Sequence, residues 1–388
     1  MVFDLERSDS LVAEQIAEFQ ACFEIVEEPR VAGRCDHPLD SVLFLIVAAA
    51  ISGADGPVEI EDFGKNRQDW LKQFVDLPAG IPSHDTIGRL LSLLKPDAFQ
   101  EALILWMEKL REIERSEDSP VIVPIDGKTA RGSYTTAGKS NALHIVSAWA
   151  TEHGLTLGPV AVDSKSNEIT AIPQLLTRMD LRNTIISMDA LGCQKAIAKQ
   201  IVDNGGDYTF AVKENHPNLY KAIVEVLEEA YEVGLVESGY RYSRNEQKGH
   251  GRNEVRHYIV AAIPAPLRSI AKTWPGIKSI GQAINVTTKD GRETCETRYY
   301  ISSRPAKVSE FSRSVRKHWG IESMHWILDV VFGEDASRIR TGYATENMSF
   351  VRRFVTSLLK QDTSRSSLKG KRKIAGWNTD FLERLMFG

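Results

Sequence analysis

The sequence predicts an α/β protein: a mixed sheet laid down in the order β-β-β-α-β-α-β and closed by a later helix, with a helical N-terminal domain in front and a β-rich insertion before that last helix. Three observations predict it. Apolar residues recur at helical spacing through roughly the first 115 positions, short apolar runs bounded by turn residues begin at 121, and two of those runs end abruptly on an aspartate.

Taken in order, Leu39, Val42, Leu43, Ile46 and Val47 form one helical stripe, and Phe99, Ala102, Leu103, Trp106 and Leu110 form another. Between them, Ser83 is an N-cap candidate for a short amphipathic helix and Pro96 opens the next. Two short helices about a tight turn suggest a helix-turn-helix, while the local acidity favours a plain packing unit. The charged stretch from Glu112 to Asp118 reads as a linker. VIVPID is then a buried-type strand ending on Asp126, and residues 142–150 and 154–162 make a hairpin. Residues 168–179 suit a helix, TIISMD a strand ending on Asp189, 194–202 a helix, and DYTFAVK a fifth strand. That succession is the ribonuclease-H-like order. The expected boundaries are 1–115 for the helical N-terminal domain and 116–215 for the first part of the ribonuclease-H-like domain. Residues 216–310 follow as an insertion subdomain and 311–388 as the last catalytic part, ending in a basic surface tail at Arg365–Lys373.

Composition narrows the function classes. With 42% hydrophobic and 26% charged residues the chain is that of a soluble globular protein. Its longest apolar run, Val42 to Ile51, is about half the ~20 residues a membrane helix needs, and MVFDLERSDS has no signal-peptide pattern. A cytoplasmic location is expected. Cys22, Cys35, Cys193 and Cys295 are scattered without metal spacing and are expected to be buried free thiols. Residues 1–125 hold 24 acidic and 11 basic side chains, whereas the remainder holds 28 and 37. A polyanion is therefore expected on the later part. The string GKT lacks the upstream glycine of a phosphate loop, and no GxSxG elbow is present.

The chemistry points to Asp126 and Asp189. On neighbouring strands they would stand side by side at the carboxyl edge of the sheet, where open α/β sheets hold ligands. Two carboxylates that close repel unless a cation lies between them, and Mg²⁺ favours a few carboxylates together with water and phosphate oxygens. A pair of such ions suits in-line phosphoryl transfer. A third ligand would come from VRKHWGIESMHWILDVVFGED, where Val315, Trp319, Trp326 and Val330 suit a helix that places Glu322, His325 or Trp326, and Asp329 along one face. Asp329 is a rival ligand; Glu334 and Asp335 are weaker ones beyond the helix end.

IDGKTARGS, SNEITAIPQLL, ISMDALGCQ, YTFAVKENHP, GHGRNEVR and KHWGIESMHWILDVVFGEDASRIR, with RCDHPLDSVLFLIVAAAISGADGPVEIEDFG and LPAGIPSHDTIGRLL in front, resemble the insertion-sequence DDE transposases. The resemblance is to the branch that includes the H-repeat-associated proteins found with Rhs elements, and it spans nearly the whole chain. It implies Asp126, Asp189 and Glu322 as catalytic and metal-binding residues, two Mg²⁺ ions with Mn²⁺ able to substitute, and double-stranded DNA, both transposon ends and target, as partner. It also implies a dimer or higher assembly on DNA. Related transposases carry a Tyr-Arg-Glu-Lys signature, where this chain has Val315, His318, Glu322 and Asp329.

Expected DNA contacts are Lys128 and Arg131 after the first aspartate, Lys213 and Asn215 at the fifth strand's end, and His250 and Arg252 in the Gly-flanked loop with Arg256 beyond. His318 and Trp319 beside the glutamate complete the set. His84, His144 and His216 read as structural, and Trp319 and Trp326 read first as core, with Trp319 the better candidate for stacking on a base. The expected activity is Mg²⁺-dependent cleavage at transposon ends followed by strand transfer of the 3′-hydroxyl. The alternatives are a domesticated DNA-binding protein that has lost the chemistry, or a nuclease acting on hybrids or junctions.

Overall fold

The computed structural model describes residues 2–31, 33, 35–110, 120–129, 144–150, 155–162, 168–249 and 251–388. The linker expected at 112–118 lies outside them. Six helices come first: α1 (Val2–Phe23), α2 (Leu39–Ile51), α3 (Pro57–Asn66), α4 (Gln68–Leu71), α5 (His84–Leu93) and α6 (Pro96–Lys109). Every residue of α2 from Ser41 to Ile51 is buried, as a helix apolar on all sides requires. The Ser83 side chain accepts from the Thr86 N–H to cap α5, and Pro96 occupies the first turn of α6, so both start signals in the sequence are realised. Helix α5 buries Ile87, Leu90 and Leu91 and packs on α3.

The strands and helices that follow are β1 (Val121–Thr129), β2 (His144–Ala150), β3 (Leu155–Val162), α7 (Glu168–Thr177), β4 (Thr184–Met188), α8 (Lys195–Asp203), β5 (Asp207–Val212) and α9 (Pro217–Val233). Then come β6 (Arg241–Gly249), β7 (Arg252–Ala262), α10 (Arg268–Ala271), β8 (Ser279–Lys289), β9 (Arg292–Ser302), α11 (Val308–Val330), α12 (Ala344–Gln361), α13 (Leu368–Trp377) and α14 (Thr379–Phe387). The described strands join one mixed sheet in the order β3-β2-β1-β4-β5-β9-β8-β7-β6. The first three form the expected antiparallel meander, and β1, β4 and β5 run parallel.

Two features of the packing are not given by the order of elements. The insertion continues the core sheet, because β9 pairs with β5 from Thr209↔Ser302 to Val212↔Tyr299 and extends it by four strands. Its first strand, RYSRNEQKG, is polar on both faces and so gives no alternation by which to recognise it. The second feature is at the C-terminus. Helix α12 packs on α2, α5 and α6, and α13 and α14 pack on α2, so residues 344–388 complete the helical layer begun at the N-terminus. Of the tail expected to be a basic surface, Arg365, Lys369 and Lys373 are exposed, and two residues are built in. Lys371 and Arg372 are buried, and the Arg372 guanidinium lies 2.7 Å from the Asp55 carboxylate and donates to the carbonyls of Ala50, Ala54 and Val331. Buried guanidinium groups need such a saturated shell.

None of the described helices is long and apolar enough to cross a membrane. All four cysteines are free, but only Cys22 and Cys193 are buried and Cys295 is exposed, which corrects the expectation for that thiol.

Candidate active site

In the parallel β1–β4 ladder the last matched pair is Ile125↔Met188. The next residue on each strand is Asp126 and Asp189, so neighbouring strands deliver both carboxylates to the same carboxyl edge. The Asp126 Oδ1 accepts from the Gly127 N–H at 2.9 Å. The Asp189 Oδ1 accepts from Leu191 and Gly192 N–H at 2.9 and 3.2 Å, an Asx-type turn that leads the chain off the strand. That turn brings Gly192 against Met188, where a Cβ would sit 2.7 Å from the sulfur. Asn215 and His216 pin it from the end of β5. Asn215 Nδ2 donates to the Ala190 carbonyl at 2.7 Å, and His216 Nε2 lies 2.5 Å from the Cys193 carbonyl. Asn215, expected to contact DNA, thus spends its amide holding the Asp189 turn.

Helix α11 crosses the sheet, packing on β1 and β4 and also on β6, β7 and β8. Its buried face is Phe311, Ser314, Val315, His318, Ile321, Met324, Ile327 and Leu328, rotated from the face read from sequence. Trp326, expected in the core, is 61% exposed, on the same side as Glu322. One turn past Glu322, His325 Nδ1 lies 3.7 Å from Asp126 Oδ2, which fixes the placement of α11 against the end of β1. His325 sits at i+3 from Glu322, so the helical spacing already contained the signal. Arg298 on β9 feels the Glu322 charge; burial works against its guanidinium, but the Glu296 hydrogen bond, its charge and that of Glu322 raise its pKa. Among the described residues no group of three or more His, Cys, Asp or Glu side chains is gathered to hold a metal ion.

The other expected contacts separate by burial. Lys128 is buried, 2.7 Å from Asp329 Oδ1, 3.1 Å from Asp335 Oδ1 and 3.2 Å from Glu334 Oε2. It is an internal cation, not a surface phosphate contact, and this corrects both its expected role and that of the three carboxylates as rival ligands. Glu334 is itself buried and bonded to Ser349 and Arg353; burial opposes its charge, but Arg353, Lys128 and Arg352 hold its pKa down to about 2. His318 is also interior. Its Nδ1 lies 3.2 Å from Ser187 Oγ, and burial pushes its pKa down to about 4, leaving a neutral interior ring.

Trp319 is half-buried between two guanidinium groups, with Arg256 and Arg298 centred 5.7 and 5.4 Å from its ring. Both cations come from the insertion strands, so the indole joins α11 to the extended sheet. Lys213 is exposed at the end of β5. Arg252 is exposed at the β6–β7 hairpin end, paired with Glu254 at 2.7 Å, and lies beside Lys289 of the next hairpin. Arg131 and His250 lie outside the described residues, as does the side chain of His144.

Residues 117–358 match the family described as "Transposase DDE domain", and residues 20–107 match the one described as "DDE_Tnp_1-associated". The chain belongs to the DDE transposase family. It is 40% identical over 369 residues to "Putative transposase YncI" of Escherichia coli O157:H7, covering 93% of this chain and 92% of that one. It is 39% identical over 370 residues to "H repeat-associated putative transposase YhhI" of Escherichia coli K12, covering 94% and 96%. A solved structure, the piggyBac transposase synaptic complex with hairpin DNA, superposes with a TM-score of 0.39 at 9% identity over 97% of this chain and 78% of that one. The family match and the relatives agree with the resemblance carried by the motifs, and the DDE transposase domain encloses Asp126, Asp189 and Glu322.

Proposed function

We propose that this DDE transposase cleaves DNA at transposon terminal repeats and joins the freed 3′-hydroxyl to target DNA, with Asp126, Asp189 and Glu322 as the catalytic carboxylates of a ribonuclease-H-like core. The observation that carries the reading is the placement of Asp126 and Asp189 one residue beyond the last β1–β4 pair, with the Glu322 helix packed on both strands. The donors are carboxylate oxygens, which hard divalent cations prefer, and the backbone N–H bonds fall on Oδ1 of each aspartate; Glu322 would have to come to them to complete a cluster that the described residues do not form in this structure. Asp126, Asp189 and Glu322 would hold two Mg²⁺ ions, with Mn²⁺ able to substitute. Such ions supply an activated water or 3′-hydroxyl and charge relief at the leaving oxygen.

The protein's own part is orientation. Asn215 and the Asx turn fix Asp189, while His325 sets α11 against Asp126. Double-stranded DNA meets the protein beyond that edge. Lys213 and Arg252 are exposed for phosphate contact, with Lys248, Lys289 and Arg292 beside Arg252 at the two hairpin ends.

Asp126→Asn, Asp189→Asn and Glu322→Gln are each expected to abolish Mg²⁺-dependent nicking and strand transfer on end-containing oligonucleotides while leaving DNA binding intact. Full activity in any one of the three removes that residue from the site. Binding without product from the native chain, with Mg²⁺ or Mn²⁺, favours a DNA-binding protein that has lost the chemistry.

A further inference from the structure

The sheet is treated differently at its two ends. At one, β3 is packed against α6, α7 and α12. At the other, β6 is the last strand among the described residues, and every residue from Arg241 to Gly249 is exposed except Ser243, which is half-exposed. Edge strands are usually blunted by shortness, proline, a bulge or charged side chains. This one is long, regular and without proline, and is guarded by charge alone, at Arg241, Arg244, Glu246 and Lys248: it pairs with β7 without interruption over nine residues, from Arg241↔Val260 to Gly249↔Arg252, about 30 Å at ~3.3 Å per residue. Its outer row of N–H and C=O groups is a template for another strand.

The charges on β6 say which strand. In an antiparallel pair of two identical strands forming one continuous sheet, the twofold axis must pass through a residue, because side chains alternate between faces. An axis at Asn245 sets Arg244 of each copy opposite Glu246 of the other, Ser243 opposite Gln247 and Tyr242 opposite Lys248. Shifting the axis to residue 244 opposes two arginines, and shifting it to 246 opposes two glutamates and Arg244 to Lys248. Like charges directly opposed are destabilising and unlike ones favourable. The turn that feeds the strand leaves apolar surface as well, with Val233 63% and Val236 76% exposed.

We propose that β6 is a self-association edge: two copies of this chain pair β6 to β6 about Asn245 without DNA, joining their sheets through a closed twofold contact. This rests on strand geometry and charge, independently of the catalytic reading above.

Light scattering on the full chain without DNA, across a concentration series, should give about twice the 43.3 kDa of one copy. Arg244→Glu and Glu246→Arg should each halve that mass, with circular dichroism unchanged. An equimolar mixture of the two variants should regain it, because acidic positions 244 and 246 of one chain then face basic ones of the other. An effect confined to the Arg244–Glu246 pair within one strand, 2.9 Å apart, would not be repaired by mixing. Asn245→Cys should yield a chain-to-chain disulfide under mild oxidation, since directly opposed residues bring their Cβ atoms within about 4.5–5.5 Å. A native chain that keeps the mass of one copy throughout, single variants that stay paired, or a mixture that stays unpaired overturns the proposal.

Discussion

Lys128 Nζ lies 2.7 Å from Asp329 Oδ1, which ties the strand bearing Asp126 to the far end of the helix bearing Glu322. The same ammonium reaches Glu334 and Asp335, and Glu334 continues the network to Arg353 of α12. The site edge is thus linked to the helical layer by charge buried at each step except the half-exposed Asp329 and Asp335.

Lys128→Met should therefore act through stability. It leaves Glu334 buried with one cation fewer, and breaking a buried pair by removing one partner costs about 3–5 kcal/mol. Urea unfolding should show the loss, and the salt dependence of DNA binding should be unchanged. A lower salt slope with unaltered stability would return Lys128 to the DNA surface.

Acid should attack the same network. The folded pKa of Glu334, about 2, lies below its ordinary 4.5, so its stabilising contribution is complete above about pH 4.5 and is lost as pH falls through 2. Unfolding free energy measured across that window should fall more steeply in the native chain than in Glu334→Gln, which has no carboxylate to protonate. Parallel curves would contradict the assignment.

His318→Arg places a guanidinium where the related signature has one but this fold buries a neutral ring. Burying that charge should cost at least about 2 kcal/mol and bring no gain in DNA affinity. Thermal melts and binding titrations on the variant decide it; tighter binding at native stability would place residue 318 at the DNA.

Gly281→Ala should loosen α11 from the insertion strands. A Cβ there would run into the Phe311 ring, which is held edge-on by Tyr300 at 5.5 Å. Overpacking of this kind costs about 1–3 kcal/mol, and Phe311→Leu in the same background should recover part of it. A melting temperature equal to native would mean the ring moves aside freely.

Much of the site was readable locally. VIVPI and TIISM are apolar runs whose only stable place is inside a sheet, so the aspartates that end them had to fall at its edge. The cap at Ser83 and the span of α9 were equally local. His318, Trp319 and Trp326 were not, because eight residues apart on one helix either face can be called apolar until a partner is packed against it. Strand β6 was invisible for the opposite reason: it buries almost nothing, and its existence depends on β7.

The sequence alone settled the helix-then-strand succession, the family, and the strand-end placement of Asp126 and Asp189, since each follows from short-range pattern and the chain's own motifs. The tertiary structure alone decided that Lys128 is interior, that residues 344–388 complete the N-terminal helical layer, and that the insertion prolongs the core sheet to an open edge at β6. Those are matters of which distant segments meet. A charge two residues past Asp126 reads alike whether it faces phosphate or three carboxylates some 200 residues further along, and only packing chooses between them.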